Sequence, residues 1–150
     1  MCKTVTALQL AHYVLQYTTK YNIRITHLQL QKVLYYIQGY HLQKFGLPLF
    51  EDNIEAWQYG PVISSVYRKY FVQGSLPLRT DIQTVLDVTP EQQSLINSVI
   101  EKKARLRAAQ LVSATHAEAP WKDLKAQVEA GYRPIMTVDA IKRHFDSQVV

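Results

Sequence analysis

The sequence has a single cysteine, Cys2, among 150 residues. An internal disulfide and a thiolate metal cluster are therefore excluded, and a reducing compartment is expected. Glycine is scarce too, at five residues, and no G-x-G-x-x-G, G-x-x-x-x-G-K or G-x-S-x-G occurs. The loops that cradle nucleotide phosphates or present a nucleophilic serine lack their material. No apolar run approaches the roughly 18 residues of a membrane span. The N-terminus MCKTVTALQL has no basic cluster followed by a long apolar core, so a cytoplasmic protein without membrane contact is expected.

Metal and acid–base motifs are missing as well. His12, His27, His41, His116 and His144 include no pair three to five residues apart, and H-E-x-x-H is absent. An enzyme built on His41 or His116 with Glu55 or Glu118 has neither a nucleophile motif nor a cofactor loop. The expectation is no catalytic residue, no cofactor and no metal. His12 and His41, each on an apolar helical face, read as core imidazoles with backbone partners.

Acids are absent from the first fifty residues: Lys3, Lys20, Arg24, Lys32 and Lys44 all precede Glu51. The net charge is +5, from 17 Lys and Arg against 12 Asp and Glu. Spread this thinly, the cations make no dense phosphate-binding stripe, and nucleic acid is not the expected partner. The run Lys102–Arg107 fans around its helix and reads as a solvated face.

What is present describes one domain over residues 1–150, with 47% hydrophobic and 19% charged residues. The fold class expected is mainly α: a compact domain of about six helices around a central helix at 27–45, with a small β hairpin or short strands near 48–59. Val5, Leu8, Ala11 and Leu15 predict one face of a helix over 5–21, capped by Thr4 or Thr6. Thr26-His27-Leu28-Gln29 is a capping box opening the central helix, which stops at Gly46 and Pro48. Ile54 to Tyr59 alternates as a strand does, burying Trp57 and Tyr59 together or exposing both.

Gly60-Pro61 then punctuates the chain, and Val62, Val66, Tyr67 and Tyr70 predict a helix ending before Gly74. Residues 76–87 read as loop. Thr89-Pro90-Glu91-Gln92 opens another helix, continued by Leu95, Ile96, Val99, Ile100, Leu106 and Leu111. A short helix at 113–118, a break at Ala119-Pro120, a helix from Trp121 to Ala130 stopped by Gly131, and a Thr137-capped helix at 138–146 complete the chain.

Ten tyrosines direct attention to interfaces, because Tyr and Trp join a large apolar surface to a polar tip. Trp57-Gln58-Tyr59-Gly60-Pro61 reads equally as a docking turn and as a packed corner. Trp121, after His116, is a buried staple or an exposed anchor. The partner-binding candidates are Tyr35, Tyr36, Trp57, Tyr59, Pro61, Tyr67, His116 and Trp121.

Ordered words run through the chain: Leu30-Gln31-Lys32-x-Leu34-Tyr35-Tyr36-x-Gln38-Gly39-x-His41-Leu42, Gly46-x-Pro48-Leu49-Phe50, Ile54-Glu55-Ala56-Trp57-x-Tyr59-Gly60-Pro61-Val62, Val66-Tyr67, then His116 and Pro120-Trp121. Over roughly residues 5 to 145 the chain resembles the Panacea domain of SocA-like antitoxins. The resemblance implies a mostly helical, non-enzymatic protein of a bacterial or phage toxin–antitoxin system. Its partner would be a cognate toxin, encoded by the adjacent gene and neutralised by direct contact. Two alternative roles are implied or compete: an adaptor delivering the toxin to a protease, and a nucleic-acid-binding transcriptional regulator. The domain pattern starts almost at Met1, so no separate DNA-binding segment is expected ahead of it. Loops such as 74–87 are where toxin specificity would lie.

Overall fold

The computed structural model describes residues 1–148. In chain order these form α1 (Ala7–Lys20), α2 (His27–Phe45), β1 (Ile54–Trp57), β2 (Gly60–Val62), α3 (Ser64–Tyr70), α4 (Pro90–Lys103), α5 (Ala108–His116), α6 (Ala119–Lys122), α7 (Lys125–Glu129), β3 (Ile135–Met136) and α8 (Val138–Asp146), with a 3-10 turn at Phe71–Gln73. The class is mainly α, as expected. The strands form one antiparallel sheet in the order β2-β1-β3.

Three of the helices start in the same way. Thr6, Thr26 and Thr89 each accept from the backbone N–H three residues on, and Gln9, Gln29 and Gln92 each accept from the threonine's own N–H. Each reciprocal cap stabilises its helix by about 1 kcal/mol. α2 stops where Gly46 turns left-handed at φ +75°, a conformation that glycine adopts without a Cβ penalty.

α2 is the core of the molecule, with α1, α3, α4, α5, α8 and β2 all packed on it. Its residues from Leu30 to Gly39 are buried without interruption. Buried all round, it also carries polar side chains into the interior: Gln31, Lys32, Gln38 and His41. Gln38 accepts from Leu49 N–H at 2.8 Å and donates to the Phe50 carbonyl at 2.8 Å. His41 pairs through Nδ1 with the Leu47 carbonyl at 2.6 Å and through Nε2 with the Gln92 amide at 2.9 Å. Gln92 donates there, so Nδ1 carries the histidine's proton. Burial holds this imidazole below its ordinary pKa, and it is the core imidazole with a backbone partner that its apolar surroundings predicted.

Several boundaries differ from the sequence expectation. The described residues hold eight α-helices rather than six. In α1 the buried face is Ala7, Leu10, Ala11, Val14, Leu15 and Thr18, while Leu8 is 37% exposed. Val5 precedes the helix and so does not set its phase. The hairpin spans 54–62, later than 48–59. Val62 is its return strand, and the helix after it starts only at Ser64. The helix opened by Pro90 does not continue through Leu111. It stops at Lys103, and the chain turns so that the Leu106 carbonyl accepts from Gln29 Nε2 at 2.8 Å. α5 then starts where Gln110 accepts from Arg107 N–H at 2.9 Å. Pro120 opens α6 instead of breaking a helix, since a first-turn position needs no N–H. β3 was not foreseen: two residues are too short to show alternation, and they pair with a strand some eighty residues earlier.

Phe145 of α8 fills the groove over Gly39, with Tyr35 and Tyr40 edge-on to it at ring-centroid distances of 5.6 and 4.9 Å. A Cβ on Gly39 would collide with the Phe145 ring. Gly39→Ala is expected to lower the unfolding free energy by about 1–3 kcal/mol through overpacking, read as a lower denaturant midpoint with an unchanged slope.

Candidate partner-binding site

The hairpin turn between β1 and β2 is held from beneath by three side chains. Trp121 Nε1 donates to the Trp57 carbonyl at 2.7 Å. His116 Nε2 meets the Gln58 carbonyl at 2.9 Å. Lys32 Nζ donates to the Pro61 carbonyl at 3.3 Å. Gln31 completes the grip by accepting from Ile63 N–H at 2.8 Å and donating to its carbonyl at 3.2 Å. His116 and Trp121 stack on each other with centroids 3.9 Å apart. Burial and the nearby Lys32 charge press the His116 pKa below its usual value, against the raising effect of the Gln58 carbonyl.

Gly60, the first residue of β2, is necessary directly after this turn. Its φ is +110°, and a Cβ there would lie 2.8 Å from Thr115 Oγ1 and 2.9 Å from Lys32 Cε. The turn can therefore sit directly on the Lys32 side chain only because residue 60 has no side chain of its own.

Above the turn lies a cavity of about 570 Å³. Its walls come from four places: the start of α2 (His27, Leu28, Gln31), the hairpin (Trp57, Gln58, Tyr59, Val62), Tyr67 of α3, and α7 with the segment after it (Val128, Gly131, Tyr132, Arg133). Trp57 packs on Tyr67 at 4.8 Å, and Tyr67 stacks on Phe71 at 5.2 Å with rings 8° apart. The Arg133 guanidinium lies 3.8 Å from the Trp57 ring centre, a cation–π contact. Trp57 Nε1 donates to Glu55 at 2.7 Å. Around the rim, Tyr59 is 57% exposed and Tyr132 68%, and Phe71, stacked on Tyr67, is 45% exposed.

A second cluster, away from the cavity, gathers the tyrosines of α2. Tyr35 and Tyr36 donate to the two oxygens of Glu118 at 2.8 and 2.7 Å. Burial, reinforced by that carboxylate, raises both phenols above their usual pKa. Lys103 Nζ sits 4.2 Å from the Tyr36 ring centre; burial lowers its pKa, partly opposed by Glu118.

The eight sequence candidates thus separate by accessibility. Trp57, Tyr59 and Tyr67 line the cavity. His116, Trp121 and Pro61 support it from below, and Trp121 and Pro61 are buried. Tyr35 and Tyr36 are buried at the Glu118 cluster, where a partner does not reach their rings. For Trp121 the buried staple is the reading realised. Sequence reasoning missed His27, Tyr132 and Arg133: the last two lie some seventy residues from Trp57 and carry no local motif. Among the described residues, no group of three or more His, Cys, Asp or Glu is placed to hold a metal ion, and no helix is long and apolar enough to cross a membrane.

The segment that contains this scaffold is also where the chain matches known proteins. Residues 30–122 match the family described as Antitoxin SocA-like, Panacea domain. Antitoxin SocA of Caulobacter vibrioides (strain NA1000 / CB15N) is 34% identical over 131 aligned residues, which cover 79% of this chain and 70% of that relative. No solved structure matches. The chain belongs to the SocA-like, Panacea-domain family of antitoxins.

Lys32 is a buried amine with one carbonyl partner, and desolvation lowers its pKa from 10.5 to about 7. The unfolded lysine keeps its proton up to its ordinary pKa, so between about pH 7 and 10 the unfolded chain binds more protons and stability rises with pH. Below pH 7 the folded protein carries the full cost of a buried charge. Above pH 10 the raised phenols of Tyr35 and Tyr36 reverse the trend, because the unfolded chain then loses protons first. Lys32→Met is expected to be more stable than the parent by about 1–3 kcal/mol at pH 6, with the gap closing towards pH 10. Denaturant melts of both proteins across that range read the difference directly.

Proposed function

We propose that the protein neutralises a toxin encoded by the adjacent gene, by direct contact in the cytoplasm and without catalysing a reaction. The observation that carries the reading is the aromatic-rimmed cavity on a rigidly held turn, in a chain that belongs to an antitoxin family. Exposed aromatics on a fixed backbone suit this task because they supply contact area with little ordering cost on binding. Trp57, Tyr59 and Tyr67 are the proposed partner-facing residues from the turn and α3. Pro61, His116 and Trp121 hold them in place, and Tyr35 and Tyr36 fix α2 against Glu118.

Neutralisation requires tight binding, and an interface of about 1,600 Å² with a few fully desolvated anchors supplies it. Expression of the adjacent gene alone is expected to arrest growth. Co-expression of this protein should restore growth, and the two should co-purify as a stable complex. Toxicity without rescue contradicts the reading. Rescue accompanied by protease-dependent loss of the toxin replaces stoichiometric neutralisation with delivery. Retardation of operon DNA at low salt, without toxin binding, replaces it with transcriptional regulation.

A further inference from the structure

Arg133 is exposed, and its guanidinium is oriented by the Trp57 face. Among the described residues no acid forms an ion pair with it. The cavity has no carboxylate in its lining, and the acid on the same strand, Glu55, is taken by the Trp57 indole. Glu129, four residues before Arg133, faces Lys125 at 3.7 Å. Beneath the turn, the Lys32 amine adds positive charge where it is protonated, below about pH 7. The cavity is therefore electropositive as well as aromatic.

His27 adds a second unfilled requirement. Its Nδ1 is shut off from solvent and has no hydrogen-bond partner among the described residues. Its ring stands edge-on to Tyr67 at 5.9 Å. A buried polar atom left unpaired is costly and normally finds a partner. Because Nδ1 is closed off, an occupant of the cavity reaches it only when the His27 ring turns towards that occupant.

We propose that the cavity receives a segment of the toxin in which a carboxylate adjoins an apolar side chain. The carboxylate pairs with Arg133, whose planar donors favour a two-point contact. The apolar side chain packs between Tyr59, Tyr67 and Tyr132. A polar group of the same segment meets His27 once its ring has turned. This rests on the antitoxin reading and adds to it the surface used and the chemistry of what the toxin presents.

The test uses the full chain and the adjacent gene's product, with affinity measured by titration calorimetry. Arg133→Glu is expected to weaken binding by about a hundredfold and Tyr132→Ala by about tenfold. Lys122→Glu, an exposed reversal on α6, should stay within about twofold. Melting curves of Tyr132→Ala and Lys122→Glu should overlay the parent, and that of Arg133→Glu should stay within a few degrees of it, since only the Trp57 contact is lost. Changing the toxin's surface acids to arginine one at a time should reveal one that restores binding to Arg133→Glu and to no other variant. Unchanged affinity in Arg133→Glu overturns the proposal while leaving the antitoxin reading intact. Failure of the parent protein to bind the toxin overturns both. If the parent alone sediments as a dimer that Arg133→Glu dissociates, the occupant is a second copy of this chain, and the proposal is overturned in favour of self-association.

Discussion

A helix packed on every side must take its polar side chains into the interior, and each then needs a hydrogen-bond partner or costs the fold stability. α2 meets this constraint by pairing its polar groups with backbone groups of the segment that follows it. His41 takes Leu47, Gln38 takes Leu49 and Phe50, Lys32 takes Pro61 and Gln31 takes Ile63. The partners advance along the chain as the helix is read backwards. Residues 47–63 are thereby laid antiparallel along α2 by its own side chains. The hairpin and its turn follow from that line.

The proposed partner-facing surface depends on the same line. A turn fixed by Lys32, His116 and Trp121 keeps Trp57 and Tyr59 in one geometry, and Trp57 in turn orients Arg133. Lys32 is an expensive way to hold one carbonyl. An apolar residue of similar volume would stabilise the core more, so the charge is retained at a cost to stability. What it supplies is a fixed turn.

Much of this was legible in the sequence, for local reasons. Threonine–glutamine capping boxes, Gly46 after the central helix and Thr137 before the last one state their structure within four residues. The ordered words from Leu30 to Trp121 identified the family. What stayed hidden depended on long-range pairing: β3 exists only because Ile54 and Glu55 accept it, and the pause after Lys103 serves a contact with Gln29. Tyrosine content pointed towards an interface, yet Tyr35 and Tyr36 are buried against Glu118 while Tyr132, in no motif, stands at the rim. Periodicity tells which residues share a face, and only the packed molecule tells which faces remain open.

Backbone hydrogen exchange of the protein, alone and in complex with the toxin, tests most directly whether this rigid turn and its cavity form the working surface. The account predicts slow exchange at the paired amides of the β1–β2 ladder and at Ile63 in the free protein, with further protection on binding confined to Gln58 and Tyr59, the start of α2 and residues 128–133. Protection falling instead on the 76–87 loop or on the outer face of α4, with the turn unaffected, would contradict it.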